Sequence, residues 1–371
     1  MKIVINKSVL FRALGDIAPL AGKVKAMKMY DCVKFKTKGN RIRVQTSDTS
    51  SIAREFIEAV SIDEDVEFLV NAKDIIGYLS MLPDGVLDIE VRKDENRMFI
   101  QHDAGRCELP LEDAENFIEP TTYEETTHFS VESAALRDAI EKALPFTASS
   151  EIRPIMQSIE FFAENNSLAY QATDGRCMIR CYGCTTLEGV EVRWKIHQNV
   201  APILAKILLN SDTTEITVSD KNVEYKCGNI IFYAQNIEGK FPNCDSVIPK
   251  AYNLTTTISK LSLMTAVGRA TKVVQNASRA VKFDIVSDSI KLTATDLDFG
   301  KEANEKISCQ SDGSIVIGLS SSILQSIMKS LTHDEVELHI TDPTRPVIAL
   351  DPTDKSVVTL IMPVIIENNV K

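Results

Sequence analysis

The sequence predicts an α+β protein made of three copies of one domain, each with two helices packed on antiparallel strands. Three observations carry that reading. A strand motif is written three times, as Arg41-Ile-Arg-Val-Gln-Thr-Ser-Asp48, Ser167-Leu-Ala-Tyr-Gln-Ala-Thr-Asp174 and Ser289-Ile-Lys-Leu-Thr-Ala-Thr-Asp296. Its closing aspartates stand 126 and 122 residues apart, a period that fits a repeated domain and is too long for a solenoid unit. A strand-to-helix unit and a second helix recur in the same order around each copy. A chain of 371 residues suits two or three domains.

Each motif strand follows a polar turn (Lys38-Gly-Asn, Glu164-Asn-Asn, Ser287-Asp) and alternates apolar with polar residues. It closes on a hydroxyl residue and an aspartate, the pattern of a strand entering an Asx-type turn. Asp48, Asp174 and Asp296 are therefore expected to cap turns rather than to form an acid cluster. The opening units are Ile3–Leu14, Phe129–Ile140 and Tyr252–Met264, with Ser133 expected as an N-cap. The second helices fall in Phe68–Leu82, Lys195–Leu209 and Ile317–Leu331, with Pro202 near a helix start, where its missing N–H costs little. The six helices are taken as 7–20, 71–81, 133–145, 198–209, 259–273 and 319–331. Strands at Leu87–Val91, Glu215–Val218 and Glu335–Ile340 follow, then a closing strand pair in each repeat. Boundaries in Pro120–His128 and Val247–Tyr252 give domains 1–125, 126–250 and 251–371.

The chemistry of the usual enzyme motifs is missing. His102, His128, His197, His333 and His339 have no HExxH spacing, and neither GxxxxGK[ST] nor GxSxG occurs. No catalytic residue, metal ligand set or cofactor is expected, which disfavours a hydrolase on duplicated domains. The eight cysteines are scattered, and Cys181-Tyr-Gly-Cys184 is a lone CxxC without a second pair. It reads as two strand residues in a reducing cytoplasm rather than a zinc site. No apolar run approaches the roughly 18 residues of a membrane span, so a cytoplasmic protein is expected. The net charge of −11 argues, taken alone, against a nucleic-acid binder.

Three further motifs occur in order: Ala172-Thr-Asp-Gly175, Glu238-Gly-Lys-Phe-Pro242 with Val247-Ile-Pro249, and Leu360-Ile-Met-Pro363. With the three-repeat plan and the length, they resemble the bacterial DNA polymerase sliding clamps (the polymerase III beta subunit family) over essentially the whole chain. The resemblance implies a homodimeric ring of six domains, with helices lining the hole. Such a ring encircles double-stranded DNA without reading sequence. It tethers the replicative polymerase, meets the clamp loader, and serves other proteins with a clamp-binding motif. A clamp-like paralogue serving repair or a mobile element is the alternative. The charge distribution agrees: the six helices sum to +6, leaving −17 on the rest of the chain. A positive lining suits phosphates. Candidate DNA contacts are Lys7, Arg12, Lys23, Lys25, Arg137, Lys142, Ser149, Arg153, Lys206, Lys260, Arg269, Lys272 and Lys329.

The resemblance also implies a cleft for client peptides. Its matching positions are Met156, Thr173, Gly175, Arg176, Cys177, Met178, Pro242 and Val247 in the middle domain. The last domain supplies Ser278, Ser320, Ile323, Thr344, Pro346, Leu360, Ile361, Met362, Pro363 and Val364. Leu360 and Met362 are expected on one strand face, with Ile361 and Pro363 on the other. The chain departs from the family at Arg176-Cys177, where a His-Arg pair is common, at Ser246, where a basic residue is common, and at Ser278 and Ile323, where aromatics are frequent. The dimer interface implied by the family falls at Tyr78, Leu82, Leu109 and Leu111 of the first domain and Lys272 and Val273 of the last.

Overall fold

The computed structural model describes residues 1–23, 27–114, 117–121, 125–149, 153–274, 280–296 and 299–366. Lys25 and Ser278, two of the expected site residues, lie outside them. The chain divides into two compact units, Met1–Arg137 with Asn199–Glu238, and Asp138–Gln198 with Gly239–Lys371. The division runs through the middle repeat for a physical reason. Its first strand group is hydrogen-bonded into the last repeat's sheet, and its second into the first repeat's sheet.

The first unit carries, among the described residues, one thirteen-stranded antiparallel sheet. Within it Ile230–Gln235 pairs with Ser51–Glu58, setting Ala234 opposite Ser51 and Tyr233 opposite Ile52. Helix α1 (Lys7–Ile17) buries Leu10, Leu14 and Ile17, one stripe at helical spacing. Helix α2 (Ala72–Met81) starts at Asn71, whose side-chain oxygen accepts from the N–H groups of Lys73 and Asp74 at 3.0 and 3.2 Å. Helix α3 (Ser133–Ala143), only its first five residues in this unit, opens on Ser133, whose hydroxyl bonds the Thr214 hydroxyl at 2.7 Å. Helix α4 (Ala201–Ile207) has Pro202 in its first turn.

Among the described residues, the second unit holds a nine-stranded and a four-stranded antiparallel sheet. In the larger, Cys177–Thr186 pairs with Val357–Ile361, with Cys177 opposite Ile361 and Met178 opposite Leu360. Helix α5 (Lys260–Val273) is capped by the Ser259 hydroxyl, and α6 (Ser321–Ser330) turns Leu324, Ile327 and Met328 inward.

The three motif strands form as Arg41–Ser47, Ser167–Thr173 and Ser289–Asp296. Their aspartates cap the turns that follow. Asp48 accepts from the N–H groups of Ser50 (2.7 Å) and Ser51 (2.6 Å). Asp174 accepts from those of Arg176 and Cys177, both at 2.7 Å, and Asp296 from that of Phe299 at 3.2 Å.

Candidate functional site

The site begins at the Asp174 turn. Thr173 Oγ1 donates to the Cys177 carbonyl at 2.7 Å and accepts from the Gly175 N–H at 3.0 Å. Gly175 takes φ 86°, which the missing Cβ permits. The chain then enters the strand carrying Cys177 and Met178. Beside it, Met362 donates its N–H to the Arg176 carbonyl at 2.8 Å, extending the pairing past Leu360. Leu360 and Met362 thus lie on the face that Met178 shares.

That face is closed by the loop after Gly239. Phe241 and Cys244 are buried with Met178 and Leu360 in one apolar cluster, and Ile155, Ile248 and Met362 pack against it half-buried. Asn243 accepts from the Ser246 N–H at 3.3 Å and so holds the Cys244–Val247 turn. Val247 stands 51% exposed on the turn. Burial pushes the Cys244 thiol up to about 12, against the pull of Arg180, so it packs as an apolar group. The result is a patch of methionine, leucine and aromatic carbon with its rim open to solvent. Such a surface can take up short apolar side chains, and its methionines adapt to different ones.

The structure gathers Met178, Leu360 and Met362, with Pro242 and Val247 on the adjoining loop. Cys177 and Ile361 are buried and paired across the strands. Met156 is buried but stands outside this cluster, and its neighbour Ile155 takes the place expected of it. Thr344 lies in a turn capped by Asp342, and Pro346 leads into a strand whose Val347 pairs with Ile361. Ser320 and Ile323 begin α6. Pro363 and Val364 run along the neighbouring strand, with the Val364 N–H 2.9 Å from the Gly318 carbonyl. A Cβ on Gly318 would stand 2.5 Å from the Val364 carbonyl oxygen, so only glycine admits the tail there. Two cluster members lie outside the motifs singled out from sequence, Ile155 and Cys244; Phe241 and Ile248 lie inside them but were not named as cleft positions. The usable signal was Phe241, an aromatic between Gly239 and Pro242 in a loop that otherwise reads as polar.

The cations expected to meet DNA differ in their freedom. Lys7 is buried, 3.5 Å from Asp84 and over the Phe11 ring, not an open cation. Arg12 pairs with the buried Glu55 at 3.2 Å, and Lys142, its side chain 17% exposed, pairs with Asp138 at 2.7 Å. Lys206 donates to the Gly15 carbonyl at 2.8 Å, Lys260 to the Leu331 carbonyl at 2.9 Å, and Arg269 to Glu305 at 2.5 Å. Arg137 is half-buried, while Lys23, Ser149, Arg153, Lys272 and Lys329 are exposed. Of the expected interface residues, Val273 is 53% exposed, Tyr78, Leu82 and Leu111 are half-buried, and Leu109 is buried.

Two family models cover most of the chain: the DNA polymerase III beta subunit central domain matches residues 130–243 and its C-terminal domain residues 245–365. The chain belongs to the DNA polymerase III beta subunit family. A Bacillus subtilis protein named beta sliding clamp is 22% identical, over 98% of this chain and 99% of its own length. The DNA polymerase III beta subunit of Thermotoga maritima superposes with a TM-score of 0.91 at 18% identity, covering 98% of this chain and 99% of that one. A sliding clamp from Pseudomonas aeruginosa, solved bound to griselimycin, has a TM-score of 0.91 at 18% identity over 99% of this chain and all of that one. These structures establish the fold.

Proposed function

We propose that this chain is a non-catalytic sliding clamp: two copies close head to tail around duplex DNA and hold a replicative polymerase to it. Family membership supports the reading, and one observation about strand edges carries it. In the first two repeats the strand after the Asp turn, Ser51–Glu58 or Cys177–Thr186, pairs with the closing strand of the next repeat. In the third repeat the corresponding strand, Lys301–Ser308, is the edge of its four-stranded sheet. In the first repeat the closing strand, Gly105–Glu112, has no strand neighbour on its outer side from Gly105 to Pro110 among the described residues. One chain therefore offers both halves of a third junction. Unpaired edges invite pairing with another chain, and two copies related by a twofold axis would satisfy both at once.

The expected interface residues flank those edges. Leu109 and Leu111 lie on Gly105–Glu112. Lys272 and Val273 end α5, which Arg269 ties to Glu305 on Lys301–Ser308. We read the chain as three repeats of about 125 residues, near the boundaries expected from sequence. Encirclement replaces affinity, so sequence-independent phosphate contacts from Lys23, Lys272, Lys329 and their neighbours suffice. The apolar cleft around Met178, Leu360 and Met362 is the docking point for the polymerase, the loader and other clients. The deciding test loads the protein on nicked circular DNA and then linearises it. The protein is expected to remain on the circle and to slide off the linear form. Equal retention on both would overturn the reading. Leu82→Glu with Val273→Glu is expected to give monomers by light scattering, and a dimer surviving both would put the interface elsewhere.

A further inference from the structure

One sheet face is covered in two repeats and open in the third. Residues directly opposite across antiparallel strands share a face. In the first repeat they form the row Leu69, Lys34, Gln45 and Arg54. All four are buried, and the segment after the closing strand bonds or packs on each of them. Phe117 packs on Leu69, and the Ile118 carbonyl accepts from Gln45 Nε2 at 2.7 Å. The Glu119 carboxylate accepts from Lys34 and Arg43, each at 3.0 Å, and from Arg54. In the second repeat the matching Gln171 and Arg180 are buried too. There Asp245, from the segment after that repeat's closing strand, accepts from Arg180 at 3.4 Å.

The third repeat has the row without the cover. Gly318, Lys282, Thr293 and Asn304 pair in the same order. Lys282 and Thr293 are half-buried, and Asn304 is exposed. Lys291, two residues before Thr293 as Arg43 is two before Gln45, is exposed as well. The repeat thus keeps a cation at two of the positions that hold Glu119 in the first. Neither lysine has an ion-pair partner among the described residues, and Asp284, opposite Lys291, has none either. The segment after the third closing strand starts along the same path. Gly318 stands where the first repeat has Leu69, and a Cβ on it would lie 3.2 Å from the Val364 side chain and 2.9 Å from that of Ile366. Val364 and Ile366 therefore take the apolar seat that Phe117 takes in the first repeat. The next residues are Glu367-Asn-Asn-Val-Lys371, which lie outside the described residues. A glutamate follows the seat here as Glu119 follows Phe117.

We propose that the open face is a docking surface for the chain's own segment Glu367–Lys371, with the Glu367 carboxylate held between Lys282 and Lys291. The segment then covers the third repeat as the linking segments cover the other two. Chain geometry permits it. Lys282, Thr293 and Asn304 stand on adjacent strands, so the row spans about 10 Å from the first to the last. The four residues after Glu367 span about 13 Å when extended, enough to reach Asn304. The energetics agree. An ammonium–carboxylate contact on an open surface is weak by itself. Here Ile366 is already seated, so few residues have to be ordered before one carboxylate meets two unpaired cations. The docked segment ends beside the edge strand Lys301–Ser308 and fixes the far end of the stretch that begins with Leu360 and Met362.

The full-length protein is treated at low salt with a water-soluble carbodiimide, which joins a carboxylate to an amine in contact with it as an amide, with loss of water. Cross-linked peptides are then mapped by mass spectrometry. The link between Lys34 and Glu119, 3.0 Å apart, is the internal standard. The expected product joins Glu367 to Lys282 or Lys291. In a mixture of unlabelled and nitrogen-15-labelled protein, both halves of that product should carry the same isotope. Glu367→Gln, or Lys282→Gln with Lys291→Gln, should lower its yield at least about tenfold and leave the standard unchanged. About 1 M salt, where screening acts within about 3 Å, should suppress the Glu367 link more than that of the buried Lys34. The standard forming with no Glu367 link to either lysine would overturn the proposal and leave the face to a segment of another protein. Mixed isotopes in the product would overturn it in favour of a second copy as the occupant. A Glu367 link made mainly to other lysines would overturn it as well.

Discussion

The two junctions inside the chain share a backbone and differ in what they bury. At the first, Ser51 lies opposite Ala234, and the Gln235 N–H reaches the Ser50 carbonyl at 3.0 Å. At the second, Cys177 lies opposite Ile361, and the Met362 N–H reaches the Arg176 carbonyl at 2.8 Å. Each begins with an aspartate-capped turn. Each has a buried arginine, Arg54 or Arg180, bonded to a carboxylate of the segment linking the repeats, Glu119 or Asp245. Yet the register-matched side chains differ: Ile52, Tyr233 and Gln235 against Met178, Leu360 and Met362. The first junction borders a cavity of about 430 Å³ lined by groups such as Thr49, Ser50, Tyr233, Gln235 and Asn236. The second borders the methionine–leucine–phenylalanine cluster. Strand pairing therefore builds a junction in either case, and side chains alone decide whether it can take an apolar ligand.

The linking segments are fastened differently for the same reason. Phe117 packs back on Cys32 and Leu69 of its own repeat, and Glu119 is held by Lys34 and Arg43, each at 3.0 Å, and by Arg54. Phe241 and Cys244 instead pack over the junction itself. Both segments combine apolar burial with a bonded carboxylate, but only in the second do the apolar side chains cover the junction.

The largest expected effect breaks the contrast directly. On the proposed docking role, Met362→Asp puts a carboxylate where a client peptide would desolvate it, at a cost on the order of several kcal/mol, so affinity for a labelled apolar client peptide of the polymerase should fall by about a hundredfold or more. Gln235→Asp, at the matching position of the first junction, should change it by less than about twofold. Fluorescence polarisation of the two variants decides, and equal losses would show that the two junctions are not distinct in function.

Next in size is a pH effect confined to the first junction. Glu55, which matches Cys181 in register, is buried, and its carboxyl is pushed up to about 7; Arg12 opposes the shift and Asp16 adds to it. The folded chain therefore keeps a proton that the unfolded chain gives up near 4.5. Its contribution to stability is greatest below that value, falls as pH rises toward 7, and is flat above. The span is on the order of 2–3 kcal/mol. Glu55→Gln should flatten this part of the curve in urea melts between pH 4.5 and 7.5. A slope unchanged in the variant would assign the titration to another group.

Glu119→Gln should cost about 2 kcal/mol, less than a fully buried pair, because its carboxylate is 44% exposed. Burial raises the Glu119 pKa, but the hydrogen bond from Lys34 and the charges of Arg54 and Arg43 outweigh it and hold the carboxyl below its ordinary value. That contribution is present above the unfolded value and is lost as pH falls, so the variant's deficit should shrink in acid. A deficit that persists at low pH would make the loss one of packing.

Much of this was legible in the sequence, because it is local. The three aspartates cap turns as the repeated hydroxyl–Asp ending predicts, and Pro202 sits in a first helical turn. Leu360 and Met362 share a face because strand alternation requires it. What was not legible depends on distance. Ser51 meets Ala234 and Cys177 meets Ile361 across more than 180 residues, and no local pattern specifies those registers. Helical spacing placed Lys7 and Lys142 on a positive lining, but spacing cannot reveal that a lysine folds onto Phe11 or onto Asp138. The bulge in Cys177–Thr186, where Leu168 pairs with Thr185 and Tyr170 with Cys181, was equally hidden, because alternation gives no sign of two residues added to a strand.

The smallest expected effect comes from building the second junction's apolar pair into the first. Tyr233→Leu with Gln235→Met copies Leu360 and Met362 at matched register. If the pair alone made the proposed docking site, the variant would bind two client peptides per chain. The cluster argues otherwise. Met178 and Leu360 gain their enclosure from Phe241 and Cys244, whereas the first junction's cavity is lined by Ile118, Glu119, Pro120 and Thr121 of its linking segment. Two apolar side chains in that polar setting bury little area against a ligand, and a few fully desolvated anchors supply most binding energy. Calorimetry should therefore return one site per chain, with folding stability changed by less than about 1 kcal/mol. A second site of comparable affinity would mean that strand pairing and two side chains suffice, and that the Phe241–Val247 wall contributes little.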